Sequence, residues 1–248
     1  MKSSIMKKLL FLLATGISFM ASAGEIEKDL KSFKRIISSP RINVILEKGD
    51  DEHIRLVYEN VSEDKINIEV RGNTLHLYLD NAKKLEKTVR HHERYNDRHS
   101  IYEGVTITAY VTYKSLEALE IRGRQQLVCN GPLEADRFQL RAYGENIISI
   151  SSMKSDFFKA SLYGENKMRI HHGKILEQRY RVYGENKVDA SNVKCAYIST
   201  SIFGEGDMRL NSSEEVRVNS FGEPRISVGG GADINTILVF GKASITRN

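Results

Sequence analysis

A tetrapeptide returns through the second half of this chain at nearly constant spacing. Tyr143-Gly144-Glu145-Asn146 recurs as Tyr163-Gly164-Glu165-Asn166 and as Tyr183-Gly184-Glu185-Asn186. It then weakens to Phe203-Gly204-Glu205-Gly206, Phe221-Gly222-Glu223-Pro224 and Phe240-Gly241-Lys242-Ala243. With Gly123 as a degenerate first copy, successive glycines stand 21, 20, 20, 20, 18 and 19 residues apart. A fixed period of this length signals stacked, near-identical units, each burying its apolar face against its neighbours.

Counting from each glycine sorts the repeat into columns. Four residues before it stand Leu119, Leu140, Ala160, Tyr180, Thr200, Val218 and Ile237, and two before it Ile121, Ala142, Leu162, Val182, Ile202, Ser220 and Val239. Four after it stand Leu127, Ile148, Met168, Val188, Met208, Ile226 and Ile245, and six after it Cys129, Ile150, Ile170, Ala190, Leu210 and Val228. These columns are almost uniformly apolar, whereas those between carry Arg, Lys, Ser, Asp and Asn. Alternation of this kind predicts two strands per repeat, inward at every second residue, joined by a glycine turn. Twenty residues let a strand leave and return in parallel register, and twisted strands favour right-handed crossovers. The fold class predicted is all-β, a right-handed single-stranded parallel β-helix. A leucine-rich solenoid shares the period but not this pattern, and a propeller blade needs about twice the length.

The rest of the chain frames this core. Lys2, Lys7 and Lys8 precede the apolar Leu9–Ile17 run and Ala21-Ser22-Ala23, the pattern of a secretory signal peptide cleaved after residue 23. The apolar run is too short for a membrane span. Losing three lysines and no acids lowers the formal charge from +5 to +2, which gives a nucleic-acid role no support. Residues 24–40 leave a short helix and an irregular strand equally open. Short alternating runs from residue 41 onward, including a hairpin turn at Arg71-Gly72-Asn73, predict N-terminal β-helix coils over 24–122. A charged insertion at 80–101 reads as a lateral loop, and regular coils of the same domain fill 123–248. Cys129 and Cys195 fall three coils apart, roughly 14 Å at strand spacing, too far for a disulfide, so both are expected as free, buried thiols.

These residues resemble a known family, the exported head-GIN-domain proteins, also described as auto-transporter adhesins. The resemblance rests on Phe33-Lys34-Arg35-Ile36 with Ile42-Asn43-Val44-Ile45-Leu46, on Gly72-Asn73-Thr74-Leu75-His76-Leu77, and on Val105–Val111 with Leu116–Gly123. It covers most of the chain after the leader and implies a parallel β-helix with an adhesive or surface role. The chain departs from the family in its aromatic residue before each glycine and its charged insertion, and carries no C-terminal barrel segment.

Three surface features could carry chemistry. Glu145, Glu165, Glu185, Glu205 and Glu223 form one column, with the spacing of retaining-glycosidase carboxylates but also that of any solvated glutamate ladder, which Lys167, Lys187, Arg169 and Arg225 could neutralise. Tyr143, Tyr163, Tyr183 and Phe203, continued by Phe221 and Phe240, form an aromatic column beside Asn146, Asn166 and Asn186. That combination suits sugar or peptide contact, and equally suits simple register-setting stacks. His91, His92 and His99 sit near Glu93 and Asp97 without a standard metal spacing, while His171-His172-Gly173 reads as a turn. No cofactor and no metal are expected. The leading expectation is an exported, non-enzymatic binding or adhesion module, periplasmic or surface-exposed, presenting the Tyr, Glu and Asn columns to a glycan or protein. A carbohydrate-active enzyme using the glutamates, or a structural envelope protein associating end to end as a homo-oligomer, are the alternatives.

Overall fold

The computed structural model of the chain describes residues 23–90 and 98–247. In chain order the first strands are β1 (Gly24–Asp29), β2 (Arg35–Ser38), β3 (Ile42–Lys48) and β4 (His53–Glu59). A 3-10 turn leads to β5 (Ile66–Arg71), which doubles back through Gly72-Asn73 into β6 (Thr74–Leu79). A short ribbon of β7 (Thr88–Arg90) and β8 (Arg98–Ser100) precedes β9 (Thr106–Tyr113) and β10 (Ala118–Gly123). The repeats supply β11 (Gln126–Glu134), β12 (Arg137–Gly144), β13 (Ile147–Gly164), β14 (Lys167–Gly184) and β15 (Asn186–Asp189). They close with β16 (Val193–Gly204), β17 (Gly206–Asn211), β18 (Glu215–Gly222), β19 (Arg225–Gly229), β20 (Asp233–Phe240) and β21 (Ser244–Arg247).

The repeats form a β-solenoid of about six turns. One wall stacks β2, β10, β12, β13, β14, β16, β18 and β20 in parallel. The other stacks β9, β3, β11, β13, β14, β15, β17, β19 and β21, also in parallel. Strands β13 and β14 bend between the walls without a break and belong to both. The inward columns read from the repeat are buried between them: Leu140, Ala160, Leu162, Ile148, Ile170 and Met208 expose 2% or less. The last coil departs from this pattern. A register shift between Val218 and Asn219 displaces β20, and Ile237 and Val239, with a neighbour on one side only, stay 63% and 39% exposed.

The first third is not simply more coils. Strands β1, β4 and β9 pair antiparallel, as do β5 and β6 through the expected hairpin turn. An alternating strand offers the same buried stripe to a partner of either direction, so period alone does not settle orientation. Residues 24–40 resolve as the strands β1 and β2 rather than a helix. The 80–101 insertion is not all loop, since it holds the β7–β8 ribbon. The His91, His92, Glu93 and Asp97 cluster lies outside the described residues. His171-His172-Gly173 falls inside β14, where the His171 ring lies 3.0 Å from the Ser149 hydroxyl, and not at a turn. No helix among the described residues is long and apolar enough to cross a membrane.

Both thiols are free and buried. Burial raises the Cys129 thiol, and pushes Cys195 up to about 11. At pH 8 only about a thousandth of Cys195 is therefore thiolate, the reactive form. Native protein should resist iodoacetamide at both cysteines and label fully once unfolded in guanidinium, as read by mass. Rapid labelling of the native protein would place a thiol at the surface.

Candidate functional site

Each repeat ends its wall strand at a glycine with positive φ, between +93° and +137° from Gly144 to Gly222. The corner that follows projects three side chains in fixed directions, and they meet different fates. The residue before the glycine points outward, the one after it stands exposed, and the asparagine two after it turns inward.

The outward aromatics stack face to face along the solenoid. Tyr143, Tyr163, Tyr183, Phe203 and Phe221 follow one another at centroid separations of 4.7–5.0 Å, with interplanar angles of 7° or less. Phe240 closes the row at 5.3 Å and 21°. Such pairs contribute about 0.5–1.5 kcal/mol each beyond their buried area. The stack has a chemical consequence: ring faces between coils are spent on each other. Only edges and the three phenol hydroxyls remain outward, and those hydroxyls have no protein hydrogen-bond partner among the described residues. For the sugar or peptide contact considered from the sequence, this column therefore offers hydroxyls and ring edges in place of the ring faces between coils.

Asn146, Asn166 and Asn186 correct the sequence reading. They expose 1% or less of their surface and cannot touch a ligand. Instead they form a hydrogen-bonded ladder. Asn146 Nδ2 donates to Asn166 Oδ1 at 2.8 Å, and Asn166 Nδ2 to Asn186 Oδ1 at 2.9 Å. Each amide also donates to the carbonyl three residues back, of Tyr143, Tyr163 or Tyr183. Each Oδ1 accepts a backbone N–H from the preceding coil, from Gln125, Asn146 or Asn166. Burying these amides costs little because their donors and acceptors are matched. The ladder ends where Gly206 has no side chain, and Asn186 turns its second proton to the Gly164 carbonyl at 3.0 Å.

The glutamates do lie in a column and are exposed. Glu145 pairs with Arg124 at 2.7 Å. Arg169 and Arg225, expected to neutralise the column, instead meet Asp189 and Asp207 at 3.7 Å. No group of three or more acidic, histidine or cysteine side chains among the described residues converges as a metal site.

On the other side of the aromatic row the wall is basic, a feature the sequence reading did not single out. Parallel register sets Tyr143, Tyr163 and Tyr183 beside the row Arg141, Ser161, Arg181, and next to it Gln139, Lys159, Arg179. The Arg137 and Arg179 guanidiniums both lie over the Phe157 ring, at 4.4 and 5.4 Å from its centroid. Acids are scarce: Glu120 holds Arg122 and reaches Arg141 at 3.6 Å, and Glu177 holds Arg179 at 3.0 Å. Lys159, Arg137 and Arg181 have no acidic partner within 4.0 Å among the described residues. Burial, then Arg181, Arg179 and Arg141, push the Lys159 amine below the ordinary lysine range. A shallow groove of about 560 Å³ runs over this part of the wall. The signal was present in the sequence, because Arg141 and Arg181 share one offset from the glycine, and Lys159 and Arg179 another. Outward cations in a solenoid ordinarily read as solvation.

Residues 32–232 match the family model described as "Putative auto-transporter adhesin, head GIN domain". A solved structure of a putative adhesin from Bacteroides fragilis is similar at TM-score 0.72 and 16% identity, covering 92% of this chain and 98% of its own. A putative adhesin from Parabacteroides merdae is similar at TM-score 0.65 and 15% identity, covering 91% and 96%. A structure from Parabacteroides distasonis described as a putative lipid binding protein is similar at TM-score 0.65 and 16% identity, with the same coverage of 91% and 96%. At these identities the likeness is one of fold. No curated protein matches the chain.

Proposed function

The chain belongs to the auto-transporter adhesin, head GIN domain family, and on that premise we propose that it is an exported, non-enzymatic binding module that presents one rigid solenoid wall to a glycan or protein on a cell or envelope surface. Export is supported by the leader pattern at its N-terminus. The observation that carries the reading is repetition itself. Outward side chains recur in register on successive coils, in stacked rows held by the aromatic and asparagine ladders. Catalysis calls for unlike groups converging on one reacting atom, whereas like groups repeated along a wall suit an extended partner contacted many times weakly.

The phenol hydroxyls give a test that leaves the stack in place. Replacing Tyr143, Tyr163 and Tyr183 together with phenylalanine should lower saturable binding of labelled protein to whole cells about tenfold or more, with the circular dichroism spectrum unchanged. Undiminished binding would remove this row from the contact surface. Absence of saturable binding by the unsubstituted protein would overturn the adhesion reading. Turnover on a polysaccharide panel, lost in Glu185→Gln, would replace it with a hydrolytic one.

A further inference from the structure

We infer that the basic wall beside the tyrosine row is a binding site for an acidic polysaccharide, whose carboxylate or sulfate groups are held by Arg141, Lys159, Arg179 and Arg181. The inference rests on the binding-module reading above and names its ligand class.

The chemistry of the wall is one-sided. Three adjacent strands offer a grid of three phenol hydroxyls, then Arg141 and Arg181 on either side of the buried Ser161, then Gln139, Lys159 and Arg179. Nearly every group there donates hydrogen bonds. The carboxylates at its margin are already engaged, Glu117 with Lys34, Glu120 with Arg122 and Arg141, and Glu177 with Arg179. Arginine forks match oxyanions in two-point contacts. Lys159 is held half-buried among three guanidiniums with no acid beside it, so the wall carries uncompensated positive charge that a bound oxyanion would neutralise.

Shape and period narrow the ligand further. This is a flat sheet surface with a shallow groove, without an apolar slot for an acyl chain. Its donors recur once per coil, at the spacing of stacked strands, about 4.8 Å, which suits a polymer of repeating charged units better than the irregular surface of a folded protein. The exposed Glu145, Glu165 and Glu185 on the far side of the tyrosine row would repel a polyanion there, confining it to the basic side.

The test uses the purified protein with heparin (sulfated), polygalacturonate (carboxylated), neutral dextran and double-stranded DNA. Binding to heparin or polygalacturonate, weakened as salt rises from about 0.05 to about 0.5 M, with none to dextran, is expected; which of the two binds more tightly tells sulfate from carboxylate recognition. Lys159→Gln with Arg181→Gln should lower that affinity about tenfold or more, while Lys174→Gln, a cation on the other side of the coil, should leave it unchanged. DNA bound as tightly as the acidic glycans would reduce the wall to a general polyanion surface and overturn the inference. So would glycan binding indifferent to the double substitution. Cell binding that persists without any acidic-glycan binding would overturn this inference alone and leave the adhesion reading standing.

Discussion

Gly164→Ala is expected to destabilise the protein by about 4 kcal/mol, near the upper end for a single substitution, and to lower its thermal midpoint by about 10 °C. Two penalties add at this position. The backbone sits at φ +104°, which an L side chain rarely adopts. A Cβ would also lie 2.4 Å from the Gly144 carbonyl oxygen. That oxygen cannot step aside, because it accepts the Glu165 N–H at 2.8 Å and so carries the ladder around the corner. Relief would require the two coils to part. Gly72→Ala supplies the contrast. Its φ is +57°, nothing stands within 4 Å of the added methyl, and the left-handed conformation alone should cost about 1 kcal/mol. Equal midpoints for the two variants in urea or thermal unfolding would show that the corner has slack, contrary to this account.

Asn166→Leu is expected to cost about 3–4 kcal/mol, although leucine keeps the number and branching of the side-chain heavy atoms of asparagine, at a site that is fully buried. The loss comes from partners left behind. Asn146 loses the acceptor for both its side-chain Nδ2 and its backbone N–H, while Asn186 Oδ1 and the Tyr163 carbonyl each lose the donor that Asn166 Nδ2 supplied. Each buried polar group without a partner costs about 1–3 kcal/mol. Glu165→Gln, one residue away and exposed, should stay within about 0.5 kcal/mol of the parent protein. If Asn166→Leu unfolds at the same denaturant concentration as Glu165→Gln, the ladder contributes nothing and the buried amides are merely tolerated.

The repeat made the solenoid legible because glycine and its flanking apolar columns report backbone and core directly. The asparagines were misassigned to the surface for a physical reason. Asn146 follows a glycine corner and looks like turn composition, yet it lies two residues before Ile148 and four before Ile150, in phase with the inward columns. Carrying the alternation through the corner, instead of restarting it there, would have placed the amide inside. The antiparallel start was hidden for another reason: Ile54 and Leu56 of β4 alternate as they would in a coil, and pairing direction leaves no mark on period. The basic wall was hidden in plain composition, since its significance depends on which acids fold beside Lys159 and Arg181, and sequence spacing alone does not say.

Between Ile147 and Gly184 every paired residue of β13 faces the residue twenty positions on, with no bulge in either strand. A unit cut or duplicated at that spacing would join each side chain to the neighbours it already has. The solenoid thus behaves as a ruler whose graduations are interchangeable. One more coil would add about 4.8 Å of reach and one more copy of every outward group. Length and valency can then change together while each local interaction stays the same, so the grip of such a wall on a repeating partner is adjustable in whole steps without any contact being redesigned.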